Sequence, residues 1–201
     1  MLASAMAEIR PYRQSDLDEL YAICLATGDA GQDATALYRD PKLLGHVYAA
    51  PYGVLAPECC FVVEDGEGVG GYVIGTADTH AFEERLERDW WPALRTRYPN
   101  PGKGAKTPDE RMQRLIHRRE RTPPRIAEPY PAHLHIDLLP RLQGRGLGGR
   151  MIDTWRAAVG RPTHLGVGTR NERAVRFYRA YGFGEIERYG APYDVIVFGL
   201  S

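Results

Sequence analysis

Lysine is almost missing from this chain: Lys42, Lys103 and Lys106 are its only lysines in 201 residues, so nearly all positive charge is arginine. Cysteine is scarce as well. Cys24, Cys59 and Cys60 suit small apolar core positions in a reducing cytoplasm better than a disulfide scaffold. No stretch approaches the roughly 20 apolar residues that a membrane-spanning helix needs. The opening MLASAMAEIR lacks the basic start and apolar run of a signal peptide, and Met6 offers an alternative start that would leave a disordered tail before it. The phosphate-loop pattern G-x-x-x-x-G-K-[ST] is absent. Net charge is zero and the arginine-rich part lacks interleaved aromatics, which argues against a nucleic-acid partner.

What charge there is lies unevenly. Residues 1–79 carry a balance of −8 and residues 80–182 a balance of +10. An acidic part beside a basic one suits a cationic ligand on one side and an anionic ligand on the other.

Apolar periodicity divides the chain into strands and helices. AEIRPYR (7–13) alternates as a strand does, and Asp16 is placed to cap a helix running to about Thr27, with Leu17, Leu20, Tyr21 and Cys24 on one face. After the polar turn GDAGQDAT (28–35), a helix is expected over 41–50, opened by its proline. Residues 59–79 read as a hairpin turning at Asp65-Gly66-Glu67-Gly68. Residues 80–130 break the rhythm. Phe82, Leu86, Trp90 and Leu94 recur every four residues, YPNPGKGAKTPD is a loop, and DERMQRLIHRRER is a short basic helix with Met112, Leu115 and Ile116 inward. About 50 residues make a poor core, so this reads as a helical insertion between two strands of one domain spanning 1–201. HLHIDLLP (133–140) is a strand, and Leu147, Met151, Ile152, Trp155 and Val159 trace one helix face after it. HLGVGT (164–169) is a strand, ERAVRFYRAYG a helix closed by Gly182, and GEIERYG and DVIVFGL are final strands.

The loop LQGRGLGGRM (142–151) fits two patterns. Gly144, Gly146 and Gly149 spell G-x-G-x-x-G, a dinucleotide fingerprint; Gln143, Gly146 and Gly148 spell Q-x-x-G-x-G. The first belongs early in a doubly wound sheet, followed by a strand ending in an acidic residue for the ribose. Here the loop comes late, the next strand ends in Thr169, Arg170 and Asn171, and Arg141, Arg145 and Arg150 crowd the glycines. A pyrophosphate held by main-chain N–H groups at a helix N-terminus meets none of these objections.

The string LLPRLQGRGLGGRM, VGTRN, ERAVRFYRAYGFGEIE resembles the GCN5-related N-acetyltransferase (GNAT) superfamily. IRPYRQSDLDELYAICLATGDAGQD is further similar to the acetyltransferase-like C-terminal domain of O-GlcNAcase and its free-standing bacterial relatives. The resemblance implies an α+β fold: a mixed, mostly antiparallel central sheet of roughly six to seven strands flanked by helices. It implies acetyl-CoA as cofactor, an amine acceptor (a small molecule or a protein lysine), and leaves a homodimer open. By resemblance the main chain of Leu138 and Leu139 pairs with the pantetheine arm, and the amides of Leu142, Gln143, Gly144, Arg145, Gly146, Leu147 and Gly148 hold the pyrophosphate. Arg141, Arg145 and Arg150 assist the phosphates or lie on the surface. Asn171 touches pantetheine, caps the next helix, or does both. Tyr178 matches the tyrosine that protonates the departing thiolate.

The base is read from chemistry. His133, His135 and Asp137 share one face of HLHIDLLP. A carboxylate on an otherwise apolar central strand needs a task or partners, so Asp137 is the first choice, against a structural pairing with an arginine; His135 either orients it or is a core histidine. His-x-His without a third ligand does not make a metal site. Asp29 and Asp33, in the turn that borders the acceptor pocket in GNAT folds, would favour a cationic amine or serve as turn formers. Trp90, Trp91 and Tyr130 wall that pocket or belong to the core. The rival from a different class is a non-catalytic acyl-CoA-binding module that keeps the loop without the chemistry.

Overall fold

The computed structural model describes residues 7–118, 120–190 and 194–201. The expected tail before Met6 lies outside these. The chain begins with β1 (Glu8–Pro11) and α1 (Leu17–Thr27), then α2 (Leu43–Tyr48) and α3 (Ala50–Leu55). The hairpin β2 (Cys60–Asp65) and β3 (Gly68–Thr76) follows. The insertion holds α4 (Thr79–Arg85), a π-helical turn (Leu86–Trp90), α5 (Trp91–Arg97), α6 (Pro108–His117) and α7 (Pro124–Ala127). Then come β4 (Ala132–Leu138), α8 (Leu147–Val159), β5 (Thr163–Gly168), α9 (Glu172–Tyr181), β6 (Gly184–Tyr189) and β7 (Val195–Leu200). No helix among the described residues is long and apolar enough to cross a membrane.

The strands form one seven-stranded sheet in the order β1-β2-β3-β4-β5-β7-β6. Every neighbouring pair is antiparallel except β4 with β5. Helices cover both faces, so β3 reads as a nearly continuous buried run rather than an alternating one. Parity then assigns each side chain to a face. Val62, Tyr72 and Ile74 pack with α1, α2, α3 and the insertion, whereas Val63, Val73 and Leu134 pack with α8 and α9. Since Tyr72 pairs with Asp137 and Ile74 with His135, the odd-numbered β4 side chains look toward α1.

The sheet is a seam of two halves. β4 pairs with β3 over six residues and β5 with β7 over six, but β4 and β5 pair only at Ala132↔Thr163 and His133↔His164. Beyond His133 the two strands part.

Three sequence expectations change in the structure. Asp16 does not cap α1 through its side chain; its carboxylate accepts from Arg10 at 2.7 Å and from the Arg13 N–H at 2.8 Å, with Arg10 also on Glu64. The helix expected over 41–50 starts at Leu43, breaks at Ala49 and resumes as α3, because Pro51 has no N–H to continue the ladder. In the insertion, the four-residue apolar spacing runs through a π turn: four residues exceed the 3.6 of an α-helix, and Pro92 cannot donate to the preceding turn. Trp91 is the fully buried tryptophan there, while Trp90 donates its indole N–H to the His46 carbonyl at 2.9 Å. Phe82, Leu86, Trp91, Leu94 and Ile116 of the insertion join the core over α1 and α2.

Arg10 and Asp16 are both nearly buried, at 11% and 8% side-chain exposure. Their pairing holds the Asp16 carboxyl below its usual range, through the Arg10 hydrogen bonds first and the Arg13 N–H after. Removing the cation alone strands a buried carboxylate, so Arg10→Ala is expected to lower the unfolding free energy by about 3 kcal/mol in urea titrations at pH 7. The depressed folded pKa supplies stability above the unfolded value near 3.9 that is lost as pH falls through the folded one; the penalty of Arg10→Ala shrinks in that acid window.

Candidate active site

Backbone alternation decides what the parted strands present to each other. The Leu139 N–H donates to the Gly70 carbonyl at 2.8 Å, toward β3, and the Ala132 N–H to the Pro162 carbonyl at 3.1 Å, toward β5. Odd residues of β4 therefore bond to β3, and the amides of Ile136 and Leu138 face the opening. Of the two expected pantetheine partners, only Leu138 is so placed; Leu139 is engaged with Gly70. The Gln143 side chain closes one side by donating Nε2–H to the Leu138 carbonyl at 2.6 Å, while the Arg173 guanidinium donates to Gln143 Oε1.

The glycine loop follows directly. Leu142 and Gln143 give their N–H groups to Leu139 and Pro140 carbonyls in a tight turn, so these two amides are not available to a phosphate. Gly144 and Gly146 both adopt φ of +72°, a left-handed backbone that admits other residues only with strain. Gly144 is thus required by geometry, whichever pattern it spells. The first helical bond of α8 runs from the Arg150 N–H to the Gly146 carbonyl at 3.4 Å, so the preceding N–H groups have no intrahelical partner. With the helix N-terminus behind them, they form an anion cradle. Arg145 and Arg150 are exposed, and Arg141 turns away to Asp65 at 3.3 Å and the Gly68 carbonyl at 3.1 Å. Arg173, which the sequence gave no reason to single out, lines the cleft instead.

A chamber of about 330 Å³ runs from Gly144, Gly146, Gly148 and Gly149 past Gln143, Phe177 and Arg173 to Asp137 and Tyr178. It opens into a second of about 220 Å³, where Cys24, Thr27, Leu134, His135, Gly166 and Gly168 join those two residues. Asp137 reaches the cleft from the α1 face and Tyr178 from α9 on the other, meeting where the strands have parted. Asp137 has Tyr72 as its partner: the hydroxyl donates to Oδ2 at 2.6 Å, and no arginine salt bridge includes the carboxylate among the described residues. Burial pushes its pKa up to about 6, against the lowering effect of the Tyr72 hydrogen bond. Tyr178 is buried against Phe177, Phe183 and Phe198, and burial, then the nearby Asp137 charge, raises its phenol well above its usual value. One group is poised to accept a proton near neutrality and the other to keep one.

Asn171 accepts from the Ala174 N–H at 3.1 Å, capping α9, and also lines both chambers. The 28–35 turn borders the cleft through Ala30, Gly31 and Gln32. Its two acidic residues do not: Asp33 accepts from the Thr35 N–H at 2.8 Å and from its hydroxyl, forming the turn, and Asp29 meets Arg170 at 3.4 Å. Trp91 and Tyr130 are likewise packed away from it, Trp91 in the core and Tyr130 beneath Gly199. Tyr72 was missed because the sequence shows it as one more apolar residue of GGYVIGT; only the hairpin register sets it opposite Asp137.

A mixed sheet opened at one parallel seam, with a glycine loop and a helix N-terminus at the mouth of the opening, is an architecture this chain shares with known proteins. No protein-family model matches the chain. It superposes on the crystal structure of SsHAT with a TM-score of 0.88 and 42% identity, over 96% of this chain and 97% of that one. The O-GlcNAcase of Rattus norvegicus is 26% identical over 205 residues, 98% of this chain, which spans 22% of the length of that relative. A GNAT superfamily phosphinothricin acetyltransferase from Sinorhizobium meliloti, solved in complex with acetyl-CoA, shares the fold at a TM-score of 0.54 and 14% identity, over 96% and 87% of the two chains. The chain belongs to the GCN5-related N-acetyltransferase superfamily. Within it, the chain is similar to SsHAT over nearly its whole length and to about a fifth of O-GlcNAcase, 22% of that protein.

The raised pKa of Asp137 carries a stability consequence. Folding favours its protonated form, so its contribution is full below the unfolded pKa near 3.9 and is lost as pH rises through about 6. Asp137→Asn keeps the Tyr72 hydrogen bond without the buried charge. Its unfolding free energy should exceed the wild type's by on the order of 3 kcal/mol at pH 8 and by little at pH 4; an equal gain at both pH values would contradict the burial argument.

Proposed function

We propose that the chain acts as one acetyltransferase domain, residues 1–201, that transfers acetyl from acetyl-CoA to a primary amine by direct attack on the thioester. The observation that carries this reading is the meeting of Asp137 and Tyr178 across the parted strands, at the inner end of the glycine-cradled chamber. Acetyl-CoA is the cofactor: its pyrophosphate fits the N–H groups of Gly144 to Gly149, and its pantetheine arm has the free edge of β4 at Leu138 to pair with. When bound it supplies an activated carbonyl and a thiolate leaving group.

The chain's residues then divide the work. Asp137, ionised above about pH 6, takes the proton of the attacking amine. The Ile136 N–H, the β4 amide beside Leu138 that also faces the opening, donates to the carbonyl oxygen as negative charge develops on it. Tyr178 gives its phenolic proton to the departing sulfur. His135, next to Asp137 on the same face of β4, borders the acceptor side and orients that end. Gln143 and Asn171 hold the loop and the mouth of α9 against the cofactor arm, and Arg173 adds positive charge beside the phosphates. Asp29 and Asp33 lend the turn a negative field at the rim without touching the acceptor.

Steady-state kinetics over pH test the reading. kcat/KM for acetyl transfer to an alkylamine should rise along a limb centred near pH 6, the pKa of the free enzyme's base. Tyr72→Phe removes a hydrogen bond that favours the ionised carboxylate, so the limb should move up by about one pH unit. Tyr178→Phe should lower kcat about 100-fold with acetyl-CoA affinity kept. Binding of acetyl-CoA with no turnover across an amine panel would make the chain a non-catalytic binding module.

A further inference from the structure

The turn after α1 reaches across the seam. α1 packs on β2 and β3 in one half of the sheet, while Arg170 and Asn171 follow β5 in the other. Between them the turn lines both chambers in which Asp137 and Tyr178 meet. Thr27 and Ala30 border the two, and Gly31 and Gln32 border the one at the glycine loop. A third chamber of about 440 Å³ continues under the insertion between Tyr48, Tyr52, Phe82, His133 and His164, and the turn takes no part in it.

The turn is held very differently at its two sides. On the α1 side it is rooted. Gly28 lies so close to Leu44 that no Cβ would fit there, and Ala34 is fully buried with its N–H on the Leu25 carbonyl at 2.9 Å. The tip is closed by reciprocal bonds: the Asp29 N–H donates to the Gln32 carbonyl at 3.0 Å and the Gln32 N–H to the Asp29 carbonyl at 2.9 Å. Across the seam the tie is light. Arg170 donates to Asp29 Oδ1 at 3.4 Å, and the two side chains are 79% and 36% exposed. A Cβ on Gly31 would stand 3.5 Å from the Asn171 amide nitrogen, so these two residues touch without bonding. An exposed ion pair contributes little and is screened by salt, so this side can let go while the other stays.

The tip also carries strain. Ala30 and Gly31 have φ of +52° and +87°, the two positive values that a type I′ turn requires. Glycine takes up this conformation freely, whereas alanine does so at a cost. The bonds on either side of Ala30 keep it there, and this strained residue is one that borders both chambers. A tip that stores strain when shut and is lightly fastened at one side opens readily.

We propose that residues 29–32 are a gate over the seam, latched by Asp29 on Arg170, that opens for acetyl-CoA to enter or leave and shuts over the thioester to keep water from it. The gate rests on the reading that acetyl-CoA occupies this cleft and reacts between Asp137 and Tyr178.

The test follows release of acetyl-CoA from the full chain by stopped flow, with a fluorescent CoA derivative as the displacing ligand. Unlatching should speed release about threefold in Asp29→Asn and in Arg170→Ala alike, and the double variant should be no faster than either. Ala30→Gly, which relieves the strain without adding an atom, should slow release about threefold. With no amine present, the two unlatched variants should also hydrolyse the thioester faster, water adding to the carbonyl and leaving acetate and the CoA thiol. A plain effect of charge on the cofactor's phosphates has a different pattern, with Arg170→Ala faster and Asp29→Asn slower. That pattern, no change in either variant, or release from Ala30→Gly no slower than from the wild type would overturn the gate. Faster release from both unlatched variants of a protein that acetylates no amine would uphold the gate and sink the transfer reading; transfer with release indifferent to both substitutions would do the reverse.

Discussion

The structure depends on a seam that stays open. β1 to β4 form one fully paired half of the sheet and β5, β7 and β6 another, and two residue pairs, Ala132↔Thr163 and His133↔His164, join them. The two cores lie on opposite faces of the sheet, and the one under α8 and α9 joins the halves, packing Val63, Val73 and Leu134 of one with Leu165, Val167 and Phe198 of the other, so the halves hold together without the remaining β4–β5 pairing. Buried backbone groups left without partners are costly, yet the N–H groups of Ile136 and Leu138 face the gap. An extended ligand with its own amides satisfies them as an added strand would. Gln143 has already taken the Leu138 carbonyl.

The opening brings together side chains that a closed sheet would hold on opposite faces. Asp137 belongs to the α1 face and Tyr178 to α9, and they line the same two chambers because no strand stands between them. The surroundings then separate their proton affinities. Asp137 is buried with the Tyr72 hydroxyl donating to it, and burial pushes its pKa up to about 6, while Tyr178, packed in phenyl rings beside that carboxylate, is held protonated. The three chambers follow β4 in order, from Leu138 at the glycine loop to His133 under the insertion.

Local signals made most of the fold legible. The alternation of HLHIDLLP, the hairpin turn at Asp65 to Gly68, and the face of α8 are properties of neighbouring residues, and the structure has each of them. The glycine loop was legible as a turn into a helix N-terminus because a strand, a glycine turn and a helix lie consecutively in sequence. What escaped depends on distant pairings. Asp16 reads as a helix cap until Arg10 is seen folding back on it. Asp29 and Asp33 read as acceptor groups until Thr35 and Arg170 take their oxygens. Tyr72 carries no local mark: strand register alone sets it opposite Asp137.

The measurement that bears most directly on this account is a crystal structure of the protein with acetyl-CoA. The pantetheine arm should lie between β4 and β5 with an amide bonded to the Leu138 main chain, the pyrophosphate on the N–H groups from Gly144 to Gly149, and the thioester between Asp137 and Tyr178. Acetyl-CoA seated elsewhere on the surface, or β4 and β5 zipped together past His133 with the arm excluded, would contradict it.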